Sequence, residues 1–208
     1  MKRDTRTRIL VASLLLFNEH GEPQTTTNQI ADEVDISPGN LHYHFRKKSE
    51  IVAALLAEFQ ADARHVLRQP ESAQASLDDF WVFLHDLLEC TAAYQFLFRD
   101  SATLVADHPK VQTALTNFSK GLIAVFELYL RAMAASGVLK IEAADAAALS
   151  RNLAVLALYS DRFGALFEKT HSADDAALRI AHAILSALKP YAVGQNDQQL
   201  DELLVHYR

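Results

Sequence analysis

Apolar residues recur at three- and four-residue intervals along almost the whole chain, the period of a helix with one face turned inward. Ile9, Ala12, Leu16 and Phe17 make such a face over residues 4–20, and Gly21 ends it. Ile30, Ala31 and Val34 form a second, shorter face behind a threonine run at 25–27 that can cap a helix. A tight turn is expected at Asp35 and Ile36. Ser37 then caps a third helix over 38–45, with Pro38 in its first position and Leu41 and Phe45 turned inward. A fourth helix begins near Lys47 and carries the stripe Ile51, Val52, Leu55, Leu56 and Phe59, which fades near Leu67.

Residues 69–76 contain Pro70 and little hydrophobicity, so a domain junction is placed there. Beyond it the pattern predicts helices over 77–93 and 94–106. A break at Asp107-His108-Pro109 follows, then a long helix over 110–136 stopped by Gly137. A helix apolar nearly all round covers 143–169 and another covers 175–191. Residues 194–199 read as a flexible polar stretch, followed by a weak last turn or tail helix over 200–207. The expected organisation is a helix-turn-helix domain at 1–47, a connecting helix at 48–69, a helical regulatory and dimerisation domain at 70–193, and a polar tail at 194–208.

The segment 25–51 carries the most specific chemistry. Two helices joined by a turn of three or four residues cross steeply, so the second can enter a DNA major groove while the first crosses the backbone. Ala31 is small where the helices meet, and Gly39 keeps the leading end slim. Asn40 can pair with adenine, His42 and His44 can donate or accept, and Tyr43 can reach a phosphate.

Through Ser37, Gly39, Leu41, Tyr43, Phe45, Lys48 and Ile51, preceded by Ile9, Ala12, Leu16, Phe17 and Gly21, the segment resembles the DNA-binding domain of TetR-family transcriptional regulators. The resemblance covers about the first quarter of the chain. Asp35 departs from it, standing where that family usually has glycine, but aspartate tolerates left-handed backbone angles better than most residues. The resemblance implies an all-α fold, with an N-terminal three-helix DNA-binding domain and a C-terminal helical bundle for ligand binding and dimerisation. It also implies a homodimeric repressor on a palindromic operator. The DNA-facing set is then Thr26, Thr27, Ser37, Pro38, Gly39, Asn40, His42, Tyr43, His44 and Lys48. Lys48 would hold a phosphate at the N-terminus of the fourth helix, and Arg3 and Arg6 could reach a flanking minor groove.

Composition qualifies this picture without reversing it. The net charge of −6 argues against DNA binding if read alone. Residues 1–50, however, hold seven Lys/Arg and seven Asp/Glu, so the deficit sits in the rest of the chain. The basic residues gather at the two ends of the motif, where phosphates would lie. Half the residues are hydrophobic and only 6 glycines and 5 prolines interrupt them, which favours helix throughout. One cysteine, Cys90, allows neither an internal disulfide nor a cysteine zinc site. No apolar run reaches the roughly 18 residues that span a bilayer, and a cytoplasmic location is expected.

In the second domain, Ala147, Ala154, Ala157 and Asp161 recur at helical spacing with Ala181, Ile184 and Leu188 as a comparable row. Two such helices and their symmetry mates would make a four-helix dimer interface; the alternative is that they complete one chain's own core. In TetR-like proteins a small molecule binds among the helices of the second domain and shifts the separation of the two DNA-reading heads. A pocket for an apolar or amphipathic effector would here draw on Trp81, His85, Glu89, Tyr94, Arg99, Phe126 and Tyr159, although aromatics at helical spacing also make ordinary core. No nucleophile arrangement or phosphate loop supports an enzyme, and no cofactor or metal is expected. Two rival readings remain: a helix-turn-helix used for protein binding, and a helical-bundle metalloenzyme built on Glu168 and His171.

Overall fold

The computed structural model describes residues 4–70, 73–164 and 173–207. Among these the chain is helical, with one isolated antiparallel bridge between Leu139 and Ala192. No helix of the described residues is long and apolar enough to cross a membrane.

The chain divides into two compact units: Met1–Ala63 with Ala93–Thr116, and Arg64–Ala92 with Asn117–Arg208. This differs from the linear reading, which put everything from 70 to 193 in one domain. The first unit holds α1 (Thr5–His20), α2 (Thr27–Val34), α3 (Pro38–His44) and most of α4 (Lys48–Val66), joined by α6 (Gln95–Arg99), α7 (Ser101–Asp107) and the start of α8 (Pro109–Ala135). Phe17, Ile30, Ile51, Phe59 and Phe96 are fully buried, with the Phe17 and Phe96 rings 5.4 Å apart. The helix expected over 94–106 is interrupted at Asp100. The cause is tertiary. Arg99 donates to the last carbonyls of α1, at Phe17 (2.7 Å) and Asn18 (2.6 Å), and the Asp100 carboxylate accepts the Glu22 amide at 3.1 Å. Asn18 completes the tie by accepting the Phe96 amide and donating to the Ala93 carbonyl. Gly21, at φ 93°, lets the chain leave α1 there, and a Cβ on it would come within 3.2 Å of the Asp100 carboxylate.

The second unit contains α5 (Leu77–Ala93) up to Ala92, the rest of α8, α9 (Ala143–Gly164), α10 (Ala173–Leu188), a 3₁₀ turn at Lys189–Tyr191, and α11 (Gln195–His206). An aromatic cluster fills its interior: Phe83 stacks on Tyr129 with centroids 4.8 Å apart and meets Phe126 edge-on at 5.3 Å. Cys90 is buried in α5. Gly137, at φ 76°, follows the end of α8.

Two expectations are corrected here. Ala154, Ala157, Ala181, Ile184 and Leu188 are 0–4 % exposed in a single chain, because α9 and α10 pack on each other along that row. The small residues let two helices of one chain approach, so these five do not form an outward dimer surface; Ala147 is half-buried and the side chain of Asp161 lies outside the described residues. The outward stripe of α9 is instead Ala148, Asn152, Val155 and Tyr159. The tail is also not a loose polar stretch. Gly194 (φ 61°) starts α11, Leu200 is fully buried, and the Lys189 ammonium bridges Asp197 (2.7 Å) and Asp201 (2.6 Å).

Candidate nucleic-acid interface

Local rules build the interface. Thr26 is the N-cap of α2 and accepts the Gln29 amide, while the Gln29 side chain accepts the Thr26 amide at 2.8 Å, a reciprocal capping box. The helix ends at Asp35, whose φ of 56° and ψ of 54° place it in the left-handed region, as expected at that turn. The Asp35 and Ile36 amides return to carbonyls of α2, and Arg8 donates to the Val34 carbonyl. Ser37 then caps α3 by accepting the Asn40 amide, with Pro38 in the first turn.

Leu41 and Phe45 are buried at 2 and 3 % exposure. They fix α3 on the rest of the unit, and a helix of seven residues so anchored presents its other sides outward. Pro38, Gly39, Asn40, His42 and Tyr43 are all exposed, Tyr43 at 84 %. Among the described residues the side chains of Asn40 and His42 make no hydrogen bond or ion pair. His44 is half-buried and its ring meets that of Tyr43 edge-on at 5.3 Å.

Beside α3 lies a recess of about 300 Å³ lined by Thr27, His42, Asn28 and Arg46 over a floor of Leu41 and Phe45. Sequence alone does not single out Asn28, and it marks Arg46 only as one of the basic residues at the end of the motif; their exposure and position beside α3 add an amide and a cation to the same face. Arg6 sits with its guanidinium 4.9 Å from the Phe45 ring centroid, a cation–π contact that anchors it against α3. Arg3 lies outside the described residues.

Lys48 is placed differently from the phosphate contact expected of it. Its Nζ donates to the carbonyls of Glu22 (2.7 Å) and Thr25 (3.1 Å) and pairs with Glu22 Oε1 at 3.1 Å. All three ammonium donors are used. The Glu22 side chain is only 5 % exposed, and His108 Nε2 stands 4.0 Å from the same oxygen. Lys48 is therefore a strut between α4 and the loop that leads into α2.

Comparison with known proteins now decides the family. The family model described as "Bacterial regulatory proteins, tetR family" matches residues 9–55, and the TetR model described as "Bacterial transcriptional repressor" matches residues 58–200. The chain belongs to the TetR family. Its relatives are regulators rather than enzymes. The regulator UidR of Escherichia coli is 36% identical over 66 residues, covering 32% of this chain and 34% of UidR. TtgR of Pseudomonas putida is 33% identical over 70 residues, 34% of this chain and 33% of TtgR. The chain thus spans about a third of the length of the curated relatives it matches. A crystal structure of a TetR-family regulator from Marinobacter aquaeolei superposes over 99% of both chains, with a TM-score of 0.87 and 28% identity.

The residues expected to line an effector pocket in this TetR-family chain fall in both units. Phe126 is fully buried in the aromatic cluster of the second unit. Tyr94 and Arg99 belong to the first unit, where the Tyr94 hydroxyl donates to Asp62 at 2.6 Å and Arg99 holds α1. Tyr159 is 42 % exposed on the outer side of α9. Trp81, His85 and Glu89 do share the outward side of α5. No group of three metal-ligating side chains occurs among the described residues, and Glu168 and His171 lie outside them.

Proposed function

We propose that this chain is a sequence-specific DNA-binding repressor that acts as a homodimer on a palindromic operator. The observation that carries the reading is α3. Its inward residues hold the helix, and its outward residues, Asn40, His42 and Tyr43, are exposed. Asn40 and His42 read base edges, while Thr27, Tyr43 and Arg46 contact phosphates. The second copy docks through the outward faces of α9 and α10, where Val155, Tyr159 and Leu178 are 58, 42 and 44 % exposed. Release of the operator by a small apolar or amphipathic molecule bound in the second unit belongs to the same reading, and operator binding places the protein in the cytoplasm.

Selection of bound duplexes from a randomised library tests the proposal. A palindromic consensus with half-sites about one helical turn apart is the expected outcome. Affinity should fall steeply with salt, since phosphate contacts release counterions. Folded protein that enriches no motif at low salt would overturn sequence-specific reading and leave a helix-turn-helix that binds protein.

A further inference from the structure

The outward face of α5 carries a polar arrangement that the DNA-reading function does not use. Trp81 and His85, four residues apart, lie on one side of the helix with ring centroids 4.2 Å apart. Both aim at a single oxygen. Trp81 Nε1 donates to the Tyr207 hydroxyl at 2.6 Å, and His85 Nε2 lies 2.9 Å from the same atom. Indole N–H is only a donor, so the hydroxyl accepts from Trp81, and toward His85 Nε2 it donates or accepts according to the imidazole tautomer. A ring hydroxyl, with one proton and two lone pairs, satisfies both neighbours whichever tautomer His85 adopts.

Tyr207 is 8 % exposed, and burial raises its hydroxyl above the usual tyrosine value, against a smaller lowering by the Trp81 hydrogen bond. The site therefore holds its phenol neutral. Next to the ring is a cavity of about 260 Å³ walled by Leu88, Ala92 and Leu178, with the Glu89 carboxylate at its edge. This is just under the roughly 300–1,000 Å³ of sites for drug-sized ligands, so it suits a short substituent on a single ring.

We propose that Trp81 and His85 form a binding site for small hydroxyaryl compounds, that Tyr207 occupies it in the ligand-free chain, and that a para-substituted phenol takes it by displacing the Tyr207 ring. Tyr207 immediately follows the last turn of α11, and helix ends open at little cost. The rest of α11 stays docked through Leu200 and the Lys189 ion pairs, so exchange needs only the end of the helix to move. The ligand gains the cavity beside the ring, which Tyr207 lines without filling. The inference concerns binding alone and stands apart from the operator proposal, because its test contains no DNA.

Trp81 is the chain's single tryptophan, so its emission reports on the site directly. The full chain titrated with 4-ethylphenol should show a saturable change. Tyr207→Ala removes the internal competitor and should bind about tenfold more tightly, since an occupied site lowers apparent affinity by its occupied fraction. If Tyr207→Ala does not fold, as judged by circular dichroism, Tyr207→Phe keeps the ring, loses the hydroxyl and should still bind more tightly than the unaltered chain. His85→Ala should weaken binding, and 4-ethyltoluene, which lacks the hydroxyl, should bind about tenfold less tightly. Equal affinity for 4-ethylphenol and 4-ethyltoluene would overturn the proposal. So would a Tyr207 variant that binds no better than the unaltered chain, or that shows no saturation.

Discussion

Helices α3 and α11 are both short, both rich in polar residues, and both preceded by a residue at positive φ, Asp35 in one case and Gly194 in the other. Their polar side chains have opposite fates. In α11, Asp197 and Asp201 are taken by Lys189, and Gln199 donates to Asp78. In α3 the polar residues face water, and two buried apolar ones, Leu41 and the C-cap Phe45, carry the attachment. On the proposed reading, structure and recognition are divided between the two sides of α3, whereas several polar side chains of α11 serve structure. A residue on the outer side of α3 can change without unfolding the unit, which is what a reading helix requires.

The sharpest way to break this contrast is to exchange the roles within α3. Leu41→Ala should cost about 2–5 kcal/mol of stability in chemical denaturation, as for other fully buried leucines, with DNA affinity lost alongside. Asn40→Ala should leave the denaturation midpoint within about 0.5 kcal/mol while losing about 1–3 kcal/mol of discrimination at one base pair. If Asn40→Ala destabilised the protein as much as Leu41→Ala, the division of labour in α3 would be wrong.

Lys48 tests where that division stops. Lys48→Met leaves the buried Glu22 carboxylate facing only His108 and should cost about 1–3 kcal/mol, an effect a purely phosphate-holding lysine would not show. If Lys48 also exchanges Glu22 for a phosphate on binding, the same variant makes the salt slope shallower by about one unit. A variant of unchanged stability with a shallower slope would remove the strut and leave the phosphate contact.

Smaller effects are expected in α11. Gly194 has φ 61° and ψ −128°, a conformation open essentially to glycine alone, and no neighbour lies within 4 Å of where a Cβ would stand. Gly194→Ala should therefore loosen α11 through the backbone only, by about 1–2 kcal/mol, read as faster amide exchange in that helix. The Lys189 staple gives a pH test. Hydrogen bonds that the Lys189 ammonium donates to Asp197 and then Asp201 raise it above its ordinary 10.5. A raised value means the contribution is whole below 10.5 and is lost as pH climbs through the folded-state value. Exchange in α11 should accelerate above that point, and Lys189→Met should abolish the dependence. An α11 whose protection does not change as the Lys189 ammonium loses its proton would exclude the ion pairs as its hold.

How much of this was readable in sequence follows from how far apart the interacting residues are. The cap at Ser37, the stop at Gly21, the left-handed Asp35 and the break before Pro109 rest on neighbours within a few residues, and all were legible. Lys48 and Glu22 are 26 residues apart, Arg99 and Phe17 are 82, and Trp81 and Tyr207 are 126. No periodicity encodes those partners. For that reason the sequence alone leaves Lys48 free for a phosphate, the helix over 94–106 unbroken, and the first turn of α11 as a polar stretch. The row from Ala154 to Leu188 failed differently: small residues announce close helix packing but do not say whether the partner is in the same chain.

Asp35 offers the smallest and most discriminating change. A non-glycine residue in the left-handed region costs about 1–2 kcal/mol, with aspartate among the better tolerated. Glycine would remove that strain but add backbone freedom to the unfolded chain, worth about 0.4–1 kcal/mol in the other direction. With aspartate at the low end of that strain, about 1 kcal/mol, Asp35→Gly should stabilise the protein by at most about 0.6 kcal/mol, the difference of these two terms. DNA recognition should be unchanged, because the turn already has the geometry glycine would give it. Asp35→Val, which brings a β-branched side chain to the same angles, should destabilise by more than about 1 kcal/mol, roughly the strain of that region. If glycine instead destabilised the turn, the aspartate side chain would be contributing something beyond its tolerance of φ 56°, and the approach of α3 to its partner would depend on it.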